Sequence, residues 1–148
     1  MQKALFLDRD GVVNKDVGYA HRVDQIEFMP GIFELCRAAH AAGELIIIVT
    51  NQSGIGRGYY SEADFHALMQ WMCERFTEEG ASITAYYFCP HLPEDACHCR
   101  KPQPGMILQA AREWNIDLAH SRLIGDKESD LEAGRAVGLG KCISNNTL

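Results

Sequence analysis

The stretch ALFLDRDG at residues 4–11 runs four apolar residues straight into two carboxylates and a glycine. Residues 4–7 are short and uniformly apolar, as a strand buried on both faces should be, and Asp8, Arg9, Asp10 and Gly11 mark a polar loop at its end. Downstream of Pro30 and Gly31, the residues Ile32, Leu35, Cys36 and Ala39 recur at helical spacing, and Gly43 closes that helix before the apolar run 45–49. Residues 50–60 read as a Gly-rich loop. Ser61, with Asp64 three residues later, is an N-cap signal ahead of Phe65, Leu68, Met69, Met72 and Phe76. Gly80 ends this second helix, and residues 83–88 are β-branched and aromatic, as in a third strand. Pro104 and Gly105 open a helix through about Asn115, residues 122–124 form a short strand into Gly125-Asp126, residues 129–137 a last helix, and residues 141–143 a fifth strand. This alternation predicts an α/β fold, doubly wound around a mostly parallel sheet, because parallel neighbours need a crossover element. A length of 148 residues predicts a single domain spanning 1–148, with no insertion large enough for a cap domain.

The formal net charge of −6 excludes a basic nucleic-acid or anionic-membrane surface, so the expected partner is a small molecule, with no nucleic acid and no membrane, and the expected state is a monomer. No apolar run approaches the roughly 18 residues of a membrane span, and residues 1–8 carry no secretory pattern, so the expected location is the cytoplasm. Of six cysteines, Cys36, Cys73 and Cys142 fall in apolar-periodic segments and read as small buried hydrophobes. Cys89, Cys97 and Cys99 instead crowd into one loop.

In doubly wound sheets ligands bind beyond the carboxyl ends of the strands. Asp8, Thr50 and Asp126 each follow a different predicted strand, and Lys101 lies in the loop after another, so all four converge on one rim. That set suits phosphate-ester chemistry, which needs a nucleophile, a proton for the leaving oxygen and positive charge around the phosphoryl group. Asp8 and Asp10 suit a nucleophile paired with a second carboxylate that gives and takes the proton. Two aspartates after a strand are by themselves more often solvated loop charges. The second acidic loop, Gly125 to Asp130, shifts the balance, because two carboxylate loops can complete an oxygen site for Mg²⁺; helix capping is the alternative for Asp126 and Asp130. Thr50 and Asn51 can hold phosphate oxygens or simply make a turn, and Lys101 is either the needed cation or a surface charge.

Cys89, His91, Cys97 and Cys99 place four soft ligands within eleven residues, the set for a closed tetrahedral Zn²⁺ site with a structural role, leaving His98 spare. A loop so poor in core hydrophobes has little else to order it.

Asp8-Arg9-Asp10-Gly11, Thr50-Asn51-Gln52-Ser53-Gly54, Arg100-Lys101-Pro102 and Gly125-Asp126-Lys127 resemble, in order, the four motifs of the haloacid-dehalogenase superfamily, and residues 4–143 resemble its histidinol-phosphatase-like group. The resemblance implies a Rossmann-like core with a zinc-binding loop and a Mg²⁺-dependent phosphatase working through an aspartyl-phosphate. It implies that Asp8 attacks phosphorus, Asp10 acts as general acid and then base, and Thr50 and Lys101 steady the phosphoryl oxygens. It further implies Mg²⁺ held by the Asp8 carboxylate, the Asp10 backbone carbonyl and Asp126, and a substrate pocket including Asp16, Gly18, Tyr19, Asn51, Gln52, Ser53 and Arg100, with Arg57 as an extra anion contact. Within the group, residues 51–58 and 100–106 look like the heptose-bisphosphate branch of bacterial surface-polysaccharide synthesis, which removes the 7-phosphate of a sugar bisphosphate. The short cysteine loop looks like the histidinol-phosphate branch, which is the rival reading. A non-catalytic phospho-acceptor or zinc-stabilised binding module is the alternative of another class, and Asp10 argues against it, because an acceptor needs no general acid. Related chains usually carry a further strand and helix beyond the position of Leu148, so the last strand is expected at a bare sheet edge.

Overall fold

The computed structural model describes residues 1–145. Five strands, β1 (Ala4–Leu7), β2 (Leu45–Asn51), β3 (Ala85–Cys89), β4 (Arg122–Gly125) and β5 (Lys141–Ser144), form one sheet in the order β3-β2-β1-β4-β5, and every neighbouring pair is parallel. Between them run α1 (Ile32–Ala41), α2 (Ser53–Gly56), α3 (Glu62–Glu78), α4 (Gly105–Trp114) and α5 (Glu128–Ala136).

Alternate residues of the two central strands point into different layers, which is why their sequences are continuously apolar. Leu5, Leu7, Ile46 and Ile48 pack against Ile32 and Cys36 of α1 and Phe65, Met69, Met72 and Phe76 of α3. Ala4, Phe6, Ile47 and Val49 pack on the opposite side, against Met106, Ile107 and Ala110 of α4 and Leu131 and Ala133 of α5. Helices therefore cover both faces, as the alternating pattern predicts. Burial of a side chain such as Phe65 or Phe76, both fully enclosed, contributes on the order of 1.5–3 kcal/mol each. The N-cap of α3 is reciprocal: Asp64 N donates to Ser61 Oγ at 3.0 Å and Ser61 N donates to Asp64 Oδ2 at 3.1 Å.

The structure departs from the sequence reading at three places. The predicted loop 50–60 contains the one-turn helix α2, and β2 runs two residues further, to Asn51, because β3 continues to pair with it there. Local propensity favours neither change; tertiary contact does. Gly56 N donates to Pro90 O at 3.0 Å, and a Cβ on Gly56 would stand 2.6 Å from that oxygen. β3 also begins at Ala85 rather than at residue 83.

The chain passes from β1 outward to β2 and β3, then returns to the other side of β1 for β4 and β5. The topological switch thus falls between β1 and β4, the two strands that deliver Asp8 and Asp126. Among the described residues β5 pairs only with β4 and forms one edge of the sheet.

Candidate active site and metal loop

Leu7 is in register with Ile124, and Asp8 N donates to Ile124 O at 3.1 Å, so Asp8 leaves the sheet beside the start of the second acidic loop. Gly11, at φ 96°, turns the chain so closely that an added Cβ would lie 2.5 Å from Cγ and Oδ2 of Asp126. The Asp126 carboxyl is therefore packed against the loop that carries Asp8 and Asp10.

Asp8 is 7% exposed and Lys101 is 4% exposed. Lys101 Nζ donates to Asp8 Oδ1 and to Val49 O, each at 2.9 Å, and pairs with Asp130 Oδ1 at 2.5 Å. Asp130 Oδ2 accepts from Asp126 N at 2.9 Å and Lys127 N at 3.0 Å. The capping role of Asp130 is thus present, and the same carboxylate also holds Lys101. Burial pushes the Asp8 carboxyl up to about 7; Lys101 opposes the shift, and Asp130 and Asp10 reinforce it. Burial alone would discharge Lys101, but Asp8 and Asp130 outweigh it and hold the ammonium above its ordinary value. For Asp130 burial is likewise overcome by Lys101 and by the two backbone N–H groups, so its carboxyl sits below the usual range. A buried carboxyl raised in this way despite its lysine partner is short of positive charge. Asp8, Asp126 and the Asp10 main chain offer hard oxygen donors of the kind Mg²⁺ takes, and such an ion would supply that charge.

Asp10 is held by four donors. Arg9 Nη2 reaches its Oδ1 at 2.9 Å and Arg9 Nε its Oδ2 at 3.2 Å; Asn14 Nδ2 adds 3.1 Å to Oδ1 and Gln52 Nε2 adds 3.1 Å to Oδ2. Arg9 is fully buried, also donates to Ala20 O at 2.8 Å, and lies 5.9 Å from the Phe65 ring centroid. Sequence reasoning assigned no role to Arg9 or Asn14. The only signal available was a charged residue inside the motif, and charge alone predicts exposure.

A cleft of about 510 Å³ opens over these loops. Asp8, Asp10 and Lys101 line it, with Arg57 and Arg100. The loop after β1 contributes Asp16, Gly18 and Tyr19, and the end of β2 contributes Asn51, Gln52 and Ser53. Thr50 and Asp126 do not line it: Thr50 is 1% exposed and its hydroxyl accepts from Gln52 Nε2 at 2.9 Å. Asn51 spends its amide on the Lys101 main chain, accepting from its N at 3.0 Å and donating to its O at 3.3 Å. Gln52 is 3% exposed and already bonded to Asp10, Thr50 and Tyr60. Arg100 keeps a buried Nη1 with no partner, a donor that an anion in the cleft would satisfy. Tyr60, Lys127 and Ser129 also line the cleft, which the sequence reading did not anticipate. A larger, more open groove of about 730 Å³ runs along α3 beside His66 and Tyr86, and it contains none of the converging groups.

Cys89, the last residue of β3, meets His91, Cys97 and Cys99 with all four ligand atoms within 4.8 Å of one another. Cys97 Sγ lies 3.6 Å from Cys89 Sγ and 3.7 Å from Cys99 Sγ, and His91 Nδ1 lies 3.4 and 3.3 Å from Cys89 and Cys99. A tetrahedron with metal–sulfur bonds of about 2.3 Å has edges of about 3.8 Å, slightly shorter toward nitrogen. Four of the six edges come close to those lengths and all six lie within 4.8 Å, so the cluster could hold one thiophilic ion, with Nδ1 as the imidazole ligand. His98 is outside the set, as the sequence reading had it. Gly105 N donates to His98 O at 2.9 Å, tying the end of this loop to the start of α4.

The HAD-hydrolase-like family model matches residues 98–143. The chain is 53% identical over 145 residues to the D-glycero-alpha-D-manno-heptose-1,7-bisphosphate 7-phosphatase of Burkholderia mallei, covering 93% of this chain and 77% of the relative. It is 50% identical over 147 residues to the D-glycero-beta-D-manno-heptose-1,7-bisphosphate 7-phosphatase of Helicobacter pylori, covering 99% and 83%. Among solved structures, the D,D-heptose 1,7-bisphosphate phosphatase of B. bronchiseptica, complexed with magnesium and phosphate, superposes with a TM-score of 0.88 at 35% identity, covering 95% of this chain and 79% of that one.

Proposed function

Because the chain belongs to the D-glycero-D-manno-heptose-1,7-bisphosphate 7-phosphatase family of haloacid-dehalogenase-like hydrolases, we propose that its own Asp8, Asp10 and Lys101 remove the 7-phosphate of that sugar bisphosphate in a Mg²⁺-dependent reaction. One observation carries the assignment of residues: Asp8 is a buried carboxyl at the topological switch, bonded to Lys101 and facing the loop that packs the Asp126 carboxyl onto Gly11.

In the proposed sequence a carboxylate oxygen of Asp8 attacks phosphorus, the bond from phosphorus to the sugar oxygen breaks, and Asp10 gives its proton to that oxygen. Asp10, now a carboxylate, takes a proton from a water that attacks the aspartyl-phosphate, releasing inorganic phosphate and restoring Asp8. Lys101, locked between Asp8 and Asp130, stabilises the charge that builds on the phosphoryl oxygens. Asp8, Asp126 and the Asp10 carbonyl would hold Mg²⁺, which would add positive charge there. Thr50 acts from below the cleft wall; Asn51 contributes mainly by holding the Lys101 main chain. Arg100, with its unpaired buried nitrogen, and the exposed Arg57 fit the anionic ends of a bisphosphate, and Asp16, Gly18, Tyr19 and Ser53 shape the sugar site between them.

For the metal loop the occupant we assign is Zn²⁺, from three thiol sulfurs and one imidazole nitrogen at tetrahedral edge lengths. With four protein ligands no position is left for water, so its role is structural, fixing the adjacent Arg100 and Lys101. No cysteine is paired in a disulfide, and the reading we adopt is a cytoplasmic monomer acting on a small substrate. Among the described residues no helix is long and apolar enough to cross a membrane.

The wild-type protein is expected to favour heptose 1,7-bisphosphate over histidinol phosphate by about 10²-fold or more in kcat/KM, because histidinol phosphate leaves one set of anion contacts unused. Asp10→Asn should lower turnover on the order of 10²–10⁴-fold while Mg²⁺ still binds, since only the main chain of residue 10 is a ligand. Equal use of the two substrates, or an Asp10→Asn variant as active as wild type, contradicts this reading.

A further inference from the structure

Gln52 was expected among the substrate contacts, yet both ends of its amide are committed within the protein. Its Nε2 donates to Asp10 Oδ2 at 3.1 Å and to Thr50 Oγ1 at 2.9 Å, and its Oε1 accepts from the Tyr60 hydroxyl at 2.5 Å. Gln52 is 3% and Tyr60 7% exposed, so water competes little for these bonds. The two amide ends are not interchangeable here. Asp10 Oδ2 accepts this bond whether Asp10 is a carboxylate or carries its acid proton on the other oxygen, so the Asp10 side needs the NH₂ end, and the hydroxyl of Tyr60 rewards the turn that presents the oxygen to it.

The path of the chain is arranged to bring Tyr60 there. Its ring lies across Gly54, where a Cβ would stand 2.2 Å from Cε1 and 2.8 Å from the hydroxyl oxygen, and it is stacked on the His21 ring at 4.9 Å with an interplanar angle of 5°. Arg9 reaches both oxygens of Asp10 and Asn14 adds a bond to Oδ1, so Gln52 Nε2 is the second donor to Oδ2 and, together with Arg9, fixes where that oxygen points.

We propose that Tyr60 and Gln52 are positioning residues: the hydrogen-bond relay from the Tyr60 hydroxyl through the Gln52 amide aims the Asp10 carboxyl at the leaving oxygen of the substrate. The inference rests on the phosphatase reading above and adds a function for two residues that do not themselves meet the reacting atoms. Tyr60→Phe removes only the hydroxyl that fixes the amide, and Gln52→Leu removes both amide ends at similar volume.

The relay acts on protonation of the leaving group, so its loss depends on how much that group needs a proton. In rapid-quench measurements at saturating substrate, the burst of aspartyl-phosphate from heptose 1,7-bisphosphate should slow about tenfold in each variant, the scale of one lost hydrogen bond to a charged group. With p-nitrophenyl phosphate, whose phenolate leaves without a proton, the burst should stay within about twofold of wild type. The double variant should be no slower than about the worse single one, because both act through one chain of bonds. KM for the sugar bisphosphate should be nearly unchanged.

A rise in KM with an unaltered burst would make Gln52 a substrate contact and overturn the relay. Equal slowing with both substrates would make it a general structural support, and a wild-type burst in both variants would remove any role; each result leaves the phosphatase reading standing. A wild-type protein that releases no phosphate from heptose 1,7-bisphosphate would instead overturn that reading, and the relay with it. Far-ultraviolet circular dichroism and the thermal midpoint of each variant separate misfolding from misalignment, and with two different substitutions a folding failure in one leaves the other to decide.

Discussion

Asp8→Asn is expected to lower phosphatase turnover by at least about 10⁴-fold and, in the same protein without Mg²⁺, to raise the thermal midpoint. The first effect follows from removing the nucleophile, for which no other side chain in the cleft is placed to substitute. The second follows from burial. The Asp8 carboxyl has its pKa pushed from 3.8 to about 7, so between those values the folded protein keeps a proton that the unfolded chain releases. The stability this group contributes is full below about pH 4 and is lost as pH rises through about 7, leaving a buried carboxylate above it. Asparagine carries no such penalty and can still accept from Lys101. The metal-free variant should therefore melt close to wild type at about pH 4 and several degrees higher at pH 8, on a scale of about 2–4 °C per kcal/mol for a chain of this size. Saturating Mg²⁺ should stabilise wild type more than the variant and narrow the gap. Calorimetry at the two pH values with and without Mg²⁺, beside a phosphate-release assay, checks both effects; an Asp8→Asn protein that turns over, or one that melts lower than metal-free wild type at pH 8, contradicts the assignment.

Cys97→Ser is expected to release the bound zinc and to lower both stability and turnover, although no ligand atom of that loop is placed in the chemistry. Cys97 Sγ touches both other sulfurs of the cluster, so its loss opens the tetrahedron at its most connected corner. Apparent zinc affinities of about 10–16 kcal/mol in small zinc domains are folding free energy, and even a fraction of that is large for one loop. A fall of about 10 °C or more in the thermal midpoint corresponds to roughly 3 kcal/mol on the scale used above. Turnover should drop by about 10²-fold, because Arg100 and Lys101 follow Cys99 directly and lose their anchored backbone. Metal analysis should find about one zinc in wild type and none in the variant. A wild-type protein that binds no thiophilic metal, or a zinc-free variant with an unchanged midpoint and rate, would exclude the structural zinc role.

The two expectations test different levels of the design. Asp8 belongs to an arrangement whose cost is electrostatic: a carboxylate, a second carboxylate and an ammonium are gathered where water is scarce, and the fold pays for that placement with its two apolar layers. The cysteine loop brings Cys89, Cys97 and Cys99 against the core but few larger apolar side chains, so on the zinc reading its order rests on coordination bonds as well as on burial.

Much of this molecule was legible along the chain. Continuous apolar runs at 4–7 and 45–49 require strands covered on both faces, helical spacing of Phe65, Leu68, Met69, Met72 and Phe76 requires a helix with one buried side, and their alternation leaves a doubly wound parallel sheet as the arrangement that buries both. From that topology alone, Asp8 and Asp126 had to emerge at one rim, and four soft ligands within eleven residues had to share an ion or remain without a reason to be ordered. Those inferences depend on period and on order, which are properties of a line. The tertiary structure alone decided which polar groups are spent on one another. Arg9 is a charge that sequence would place in water, yet it is fully buried beneath Asp10; Gln52, expected to face the substrate, turns to Asp10 and Tyr60; Asp130, readable as a helix cap, also grips Lys101. Hydrogen bonds between residues far apart in sequence have no period, and each depends on distances of a few tenths of an ångström that exist only once both layers are packed.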